Sequence, residues 1–414
     1  MGFLGQEGLN VPATGLRVAL SRGARAEQLR PHFQAVQQRV APPITVFTSF
    51  EEAESDWRAF ETTAFGSAFQ SFDWLCAWHR HVGAAAQVQP VIVKVSIGGE
   101  PLLLAPFGIE TRLGIRALVW LGGRFTDYNA PLLAPDFDWR LAKGGFPALW
   151  AHIRAALPPH DLIRLENQLP RVGELTNPFA ALDCMEAPDA AYAFALPRSY
   201  EALAARNRPQ TRRMDRQKER QLGDLGKVEF LVAETGAEAR AMASDILDRK
   251  AAQLRAQGIR SIFDDMDYRA AYLDLAGLEG DGRILEVAGL YLDGEMISGS
   301  IAQIWKGRTT LMVHTYEHAY AKYSPGRLHL LKLMRFSIEE RRDVFDLSVG
   351  QASYKDSFVD TPMPLYNHVA AVTNWGAPFA RAARLKLNLR HAVKHNPKLL
   401  GFLQRARAGV RGGV

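Results

Sequence analysis

Two hairpin signals of the same design, 195 residues apart at Glu100 and Glu295, constrain this chain more than any other feature. In the first, the apolar run Val91–Ile97 meets Gly98-Gly99 and resumes as Glu100-Pro101-Leu102-Leu103-Leu104-Ala105. In the second, Leu285–Leu292 meets Asp293-Gly294 and resumes over Glu295–Ala302. Two-residue turns between antiparallel strands require positive φ, which Gly adopts without steric cost. The same parts follow each hairpin. A third strand is predicted at Ala117–Leu121 and, after Lys306-Gly307, at Thr309–Val313. Helices then run over about Trp139–Ala156 and Pro325–Arg341, leading to strands Leu162–Leu165 and Val344–Leu347. The repeated order predicts a duplicated α/β unit, against the alternative of a chance likeness between two α/β halves.

At 414 residues the chain suits two domains with appendages. A loosely ordered leader is expected over residues 1–42, ending at Pro42-Pro43, then an N-terminal domain over 43–188. That domain opens with a strand at Ile44–Phe47, a helix from about Phe50 and a second helix, Phe72–Val82. A C-terminal domain follows over 189–375, with a basic helical insertion at 207–222, and a tail over 376–414. The net charge is +6, from 50 basic and 44 acidic residues, and the tail holds nine of the basic ones and no acid. Without it the remainder is at −3, so the basicity does not describe a nucleic-acid-binding core. Cys76 and Cys184 lack ligand spacing and are expected as buried, reduced thiols, with no disulfide and no metal. No apolar run reaches the roughly 18 to 20 residues that span a bilayer. The start, Met1-Gly2-Phe3-Leu4-Gly5-Gln6, fits neither an export nor a myristoylation signal, so a cytoplasmic protein is expected.

Chemistry is expected in the second half. Tyr323-Ser324-Pro325-Gly326-Arg327-Leu328 opens the long helix, where free N–H groups and the helix dipole favour a pyrophosphate; a plain cap is the alternative. Apolar residues from Leu328 to Ile338 cover most of that helix, leaving one polar stripe through Lys332, Arg335, Glu339 and Arg342. Its start should therefore be held rigidly. Between the halves, Arg206–Arg220 carries seven basic and two acidic residues, among them Arg212. It fits either a solvated helix face or a wall for a phosphate-bearing ligand. His314 and Tyr316 begin a polar aromatic cluster that extends to Tyr323, and Asp127-Tyr128-Asn129 follows Gly122-Gly123 as an acceptor wall or a turn. GxSxG, P-loop and Rossmann glycine motifs are absent from the sequence.

Leu-Tyr-Leu-Asp-Gly-Glu at 290–295, the Tyr323 segment, Val344–Gly350 and Tyr354–Phe358 together resemble the GNAT-fold acyltransferases. The branch they are most similar to serves cellulose and exopolysaccharide biosynthesis and is related to the Fem peptidoglycan aminoacyltransferases. The resemblance implies tandem GNAT-like domains, each a mixed, mainly antiparallel sheet flanked by helices. It implies acetyl-CoA or another acyl-CoA as donor at Tyr323–Leu328. Lys355, in the Tyr354-Lys355 pair, would stabilise charge on the reacting carbonyl; Asp346 would accept a proton or orient Lys355. Asp127, Tyr128, His314, Tyr316 and Arg212 are the candidate acceptor contacts. An amine on an amino sugar or glycan precursor is the first acceptor class. A transferase using aminoacyl-tRNA, and an inactive scaffold of a polysaccharide-synthesis complex, are the alternatives. The basic, aliphatic tail suits peripheral contact with an anionic membrane, or a helix packed on the body.

Overall fold

A computed structural model describes residues 42–396, apart from 142–144, 351, 353 and 360. The expected leader, except Pro42, and the tail beyond Asn396 lie outside the described residues. The first half runs β1 (Ile44–Phe47), α1 (Phe50–Thr63), α2 (Phe72–Trp78), β2 (Gln89–Ile97), β3 (Glu100–Arg112), β4 (Ile115–Trp120), α3 (Phe146–Ala156), β5 (Leu162–Gln168) and β6 (Cys184–Ala195). Two connecting helices follow, α4 (Tyr200–Arg206) and α5 (Pro209–Gly223). The second half repeats the order as β7 (Val228–Val232), α6 (Gly236–Ala256), α7 (Met266–Ala276), β8 (Leu285–Leu292), β9 (Glu295–Trp305), β10 (Arg308–Tyr316), α8 (Pro325–Glu339), β11 (Val344–Val349) and β12 (Met363–Ala371). A last helix, α9 (Ala377–His395), closes the described chain.

The hairpins form where their turns dictate. Gly98 and Gly99 take φ of 64° and 85°, and Asp293 and Gly294 take 50° and 84°, the paired positive φ that matches the strand twist. Third and fourth strands are parallel in both halves: Ala117–Val119 faces Leu162–Arg164, and Arg308–Thr310 faces Val344–Asp346. Both pairings stop after three residues although the strands continue, so each half has a parallel pair that parts at one end.

The halves then exchange their last strands. The sheet order is β1-β2-β3-β4-β5-β12-β6-β11-β10-β9-β8-β7, with a short Leu132–Leu133 strand added on β3. β6 leaves the first half to pair with β11, Val344 facing Ala195. β12 leaves the second half to pair with β5, Val369 facing Arg164. The two exchanged strands pair with each other at the centre, His368 facing Cys184. A mixed, mainly antiparallel sheet flanked by helices is therefore the architecture. The expected boundary at 188/189 falls inside β6, because the strand that ends the first half belongs to the sheet of the second.

Other departures are local. The helix expected from Trp139 is a single turn, Phe137–Arg140, followed by α3 with Pro147 in its first turn, where a missing N–H costs nothing. α2 stops at Trp78 and widens into a π turn over His79–Gly83. Cys76 and Cys184 are free and half-buried, not buried. No helix among the described residues is long and apolar enough to cross a membrane.

A sheet joined by exchanged strands should unfold as one unit. Leu365 on β12 is fully buried, and Leu365→Ala should cost about 2–5 kcal/mol. In urea titration with hydrogen exchange, amides of β3 and β9 should lose the same opening free energy. Loss confined to one half would contradict the single-sheet account.

Candidate functional site at the seam

The middle of the sheet holds a carboxylate with almost no contact with water. Asp346, on β11, is 1% exposed. Its Oδ2 accepts from the Tyr128 hydroxyl and, at 3.0 Å, from Arg308 Nη1; its Oδ1 accepts from the Ser348 amide at 2.8 Å. Ser348 takes φ of 61°, a left-handed conformation that folds its amide back onto that oxygen. Tyr128 comes from the other half and is fixed there: Phe69 packs edge-on at 4.8 Å, and Gln70 Nε2 donates to the Tyr128 carbonyl at 3.1 Å. Burial beside Asp346 pushes the Tyr128 phenol up, so its proton stays on.

Next to it stands a second acid and a lysine. The Ser348 hydroxyl donates to Asp127 Oδ2. Burial pushes the Asp127 carboxyl up to about 6, helped by nearby Asp346 and opposed by Ser348 and Lys355. Lys355 is 5% exposed, and Nζ donates to the Val349 carbonyl at 2.8 Å and the Ser348 carbonyl at 3.4 Å, above the Tyr192 ring at 5.1 Å. Burial brings it down to about 8, against the pull of Asp127 and Asp346. Two of its three N–H donors thus meet backbone, and the third meets no acceptor among the described residues. Asp127 lines two cavities. One, of about 800 Å³, opens where β4 and β5 part and is walled by Trp120, Asn129, Arg164, Glu166 and Asp189, reaching Val349. The other, of about 280 Å³, lies against Arg260, Phe263 and Met312.

The start of α8 is built differently. Helix geometry leaves the amides of Gly326 and Arg327 without intrahelical acceptors, and the Ser324 hydroxyl does not cap them. Ser324 is itself left-handed, at φ 56°. Pro325 and Leu328 are buried, while Tyr323 packs beside Leu328 and Leu290. A Cβ on Gly326 would stand 3.1 Å from Tyr316 and 3.2 Å from His314, so this glycine lets the helix start press onto β10. The Arg327 guanidinium grips Asp215 of α5 at 2.6 and 2.9 Å and lies over Phe358. The Arg327 side chain is thus engaged in an ion pair.

The expected residues therefore fall into groups. Asp127, Tyr128, Asp346 and Lys355 come together at the seam. Tyr354 flanks Lys355, half-buried against Phe345 and Val359. His314 and Tyr316 do not join them: His314 is pushed down to about 3 by burial, with Lys250 adding to this, and its ring meets His329 at 5.4 Å. Arg212 lies in a third cleft, of about 360 Å³, with Arg216, Lys332 and Arg335. Arg308, Ser348 and Tyr192 were missed, since nothing in a strand-initial arginine or a serine two residues past Asp346 singles them out.

Residues 209–356, from the start of α5 through Asp356, match the family model described as an acetyltransferase (GNAT) domain. FemX is similar in fold, with a TM-score of 0.55 and 10% identity over 82% of this chain and 99% of that one. A tandem GNAT protein from the clavulanic acid biosynthesis pathway aligns at a TM-score of 0.43 and 13% identity, over 80% of this chain and 99% of that one. A conserved protein of unknown function from Bacteroides thetaiotaomicron aligns at 0.48 and 11%, over 80% and 100%. No curated protein matches the chain by sequence. The fold is thus similar to that of FemX, and the match to an acetyltransferase (GNAT) domain is confined to the second half.

Asp346 makes a sharp test of the seam. Arg308→Met leaves its buried charge with neutral donors only, and should cost about 2–3 kcal/mol in urea denaturation, with Arg308→Lys recovering part of it. A loss below about 0.5 kcal/mol, the scale of a neutral surface change, would show that the pair does not matter to the fold.

Proposed function

We propose that the protein transfers an acyl group from acyl-CoA, with acetyl-CoA the first candidate, to an amine on an amino sugar or glycan precursor. The observation that carries this is that Asp127 and Lys355 are both held by the Ser348–Val349 segment, where Asp127 and Val349 line the 800 Å³ cleft. Acyl transfer needs a donor aimed at the oxygen that becomes negative and a base for the proton the amine loses. Lys355, with one N–H that meets no acceptor among the described residues, suits the first task. Asp127, the acid raised toward neutrality and facing the cleft, suits the second better than Asp346, whose oxygens are occupied by three donors. Asp346 is then a positioning residue, holding Ser348, which in turn orients both Asp127 and Lys355.

In this reading the thioester enters from the second half, its phosphates near the free amides of Gly326 and Arg327 and the cations Arg212, Arg216, Lys332 and Arg335. The acceptor occupies the larger cleft. Glu166 there attracts an ammonium, Asn129 and Asn167 can bond hydroxyls, and Trp78 and Trp120 border the cleft, a lining that suits a sugar bearing an amine. An aminoacyl-tRNA donor is the second reading, favoured by Arg213, Arg216 and Arg220, which α5 holds exposed.

The test is release of free CoA from acetyl-CoA with a panel of amino sugars. The rate should rise with an apparent pKa near 6 as Asp127 loses its proton, and fall near 8 as Lys355 loses its own. Asp127→Asn should remove the acidic limb and Lys355→Met the alkaline one, each lowering kcat about 10²–10³-fold. No CoA release with any amine, together with salt-sensitive tRNA binding, would overturn the first reading in favour of the second.

A further inference from the structure

Helix α9 buries one side and leaves an apolar strip on the other. Ala380 and Leu387 face the sheet. Arg384 ties that side down through Asp183 at 3.0 Å and the Val369 carbonyl at 3.0 Å, and Lys394 through Asp189. At roughly 100° per residue, Leu385 and Leu389 point away from the buried side. They are 60% and 56% exposed, and Trp375, in the turn that leads into the helix, is 66% exposed. Arg381 borders the strip on one flank, Lys386 and Arg390 on the other, and no ion pair among the described residues engages these three. No Asp or Glu occurs anywhere in 376–414.

We propose that the outward face of α9 docks on an anionic lipid bilayer. Exposed leucines along a helix with cations on both margins, and an exposed tryptophan in the turn before it, is an arrangement that enters a headgroup layer: the apolar strip sinks and the rim meets lipid phosphates. A contact between two copies through α9 itself is poorly matched, since the rim cations would demand acids that 376–414 does not contain. The placement has a consequence for the larger cleft, because Lys386 is also part of its wall. Docking brings that opening to the headgroup layer, where an amine on a lipid-borne acceptor reaches Asp127. This consequence rests on the transferase reading; the docking itself does not.

The experiment is vesicle flotation of the full-length protein. It should float with phosphatidylglycerol/phosphatidylcholine vesicles, not with phosphatidylcholine alone, and lose binding about tenfold between about 0.1 and 0.5 M salt. Leu385→Glu with Leu389→Glu, and separately Arg381→Glu with Arg390→Glu, should each weaken flotation about tenfold. Unchanged circular dichroism and melting of both variants would show that the fold is intact. Equal binding to neutral vesicles, full binding by both variants, or a variant effect seen only as a dimer turning monomer in light scattering would each overturn the proposal. A chain that floats as expected yet releases no CoA would sink the transferase reading and leave the docking standing.

Discussion

A charge held away from water inside a sheet is tolerable only if its surroundings satisfy it, and Asp346 is satisfied from both halves of the chain. Tyr128 arrives from the loop after β4, Arg308 begins β10, and the Ser348 amide turns back from the same strand. Because one carboxylate requires all three, the halves are fixed in register at the point where they meet. The left-handed turn at Ser348 follows from that demand, and Asp127 and Lys355 take their places from the turn. The environment of the candidate base and the candidate oxyanion donor is therefore a by-product of neutralising a third group.

The contrast between the two acids is instructive. Asp346 and Asp127 sit side by side, yet one is saturated by donors while the other accepts from a single hydroxyl and faces open space. Burial without compensation raises a carboxyl toward neutrality. Lys355 shows the mirror effect, losing affinity for its proton through the same withdrawal from water. A raised acid and a lowered lysine within one small volume are what make the seam the candidate site.

Much of this was legible in the sequence where local rules decide. The glycine turns announced both hairpins, and the apolar coverage of α8 announced a buried helix with a firm start. His329 and Ser337, buried and bonded to Ser300 and Thr309, are the polar exceptions that such a pattern conceals. The exchanged strands could not be read. β6 is built largely from alanines with Pro188 inside it, and β12 carries Pro364, so neither looks like a central strand; each is one because of the neighbours it reaches across the fold. Asp346 and Lys355 were found by resemblance, and Asp127 by its place after two glycines. The groups that give them their properties, Arg308 and Ser348, are ordinary residues made important by geometry. The basic run of α5 shows the reverse. Its two acids turn inward onto Arg327 and Lys332, and its charge excess is what remains outside.

The exchange of β6 and β12 also sets a timetable. On a ribosome the first half emerges with a helix-flanked hairpin ready to form, but the strand that completes its sheet is some two hundred residues behind. Until Ala371 has cleared the exit tunnel, β5 presents an unpaired edge, and β6 waits for partners not yet made. The newly made chain must pass through a stage in which its future centre is its most adhesive border. A folding helper, or fast closure once the last strand appears, is a requirement that this topology places on the cell.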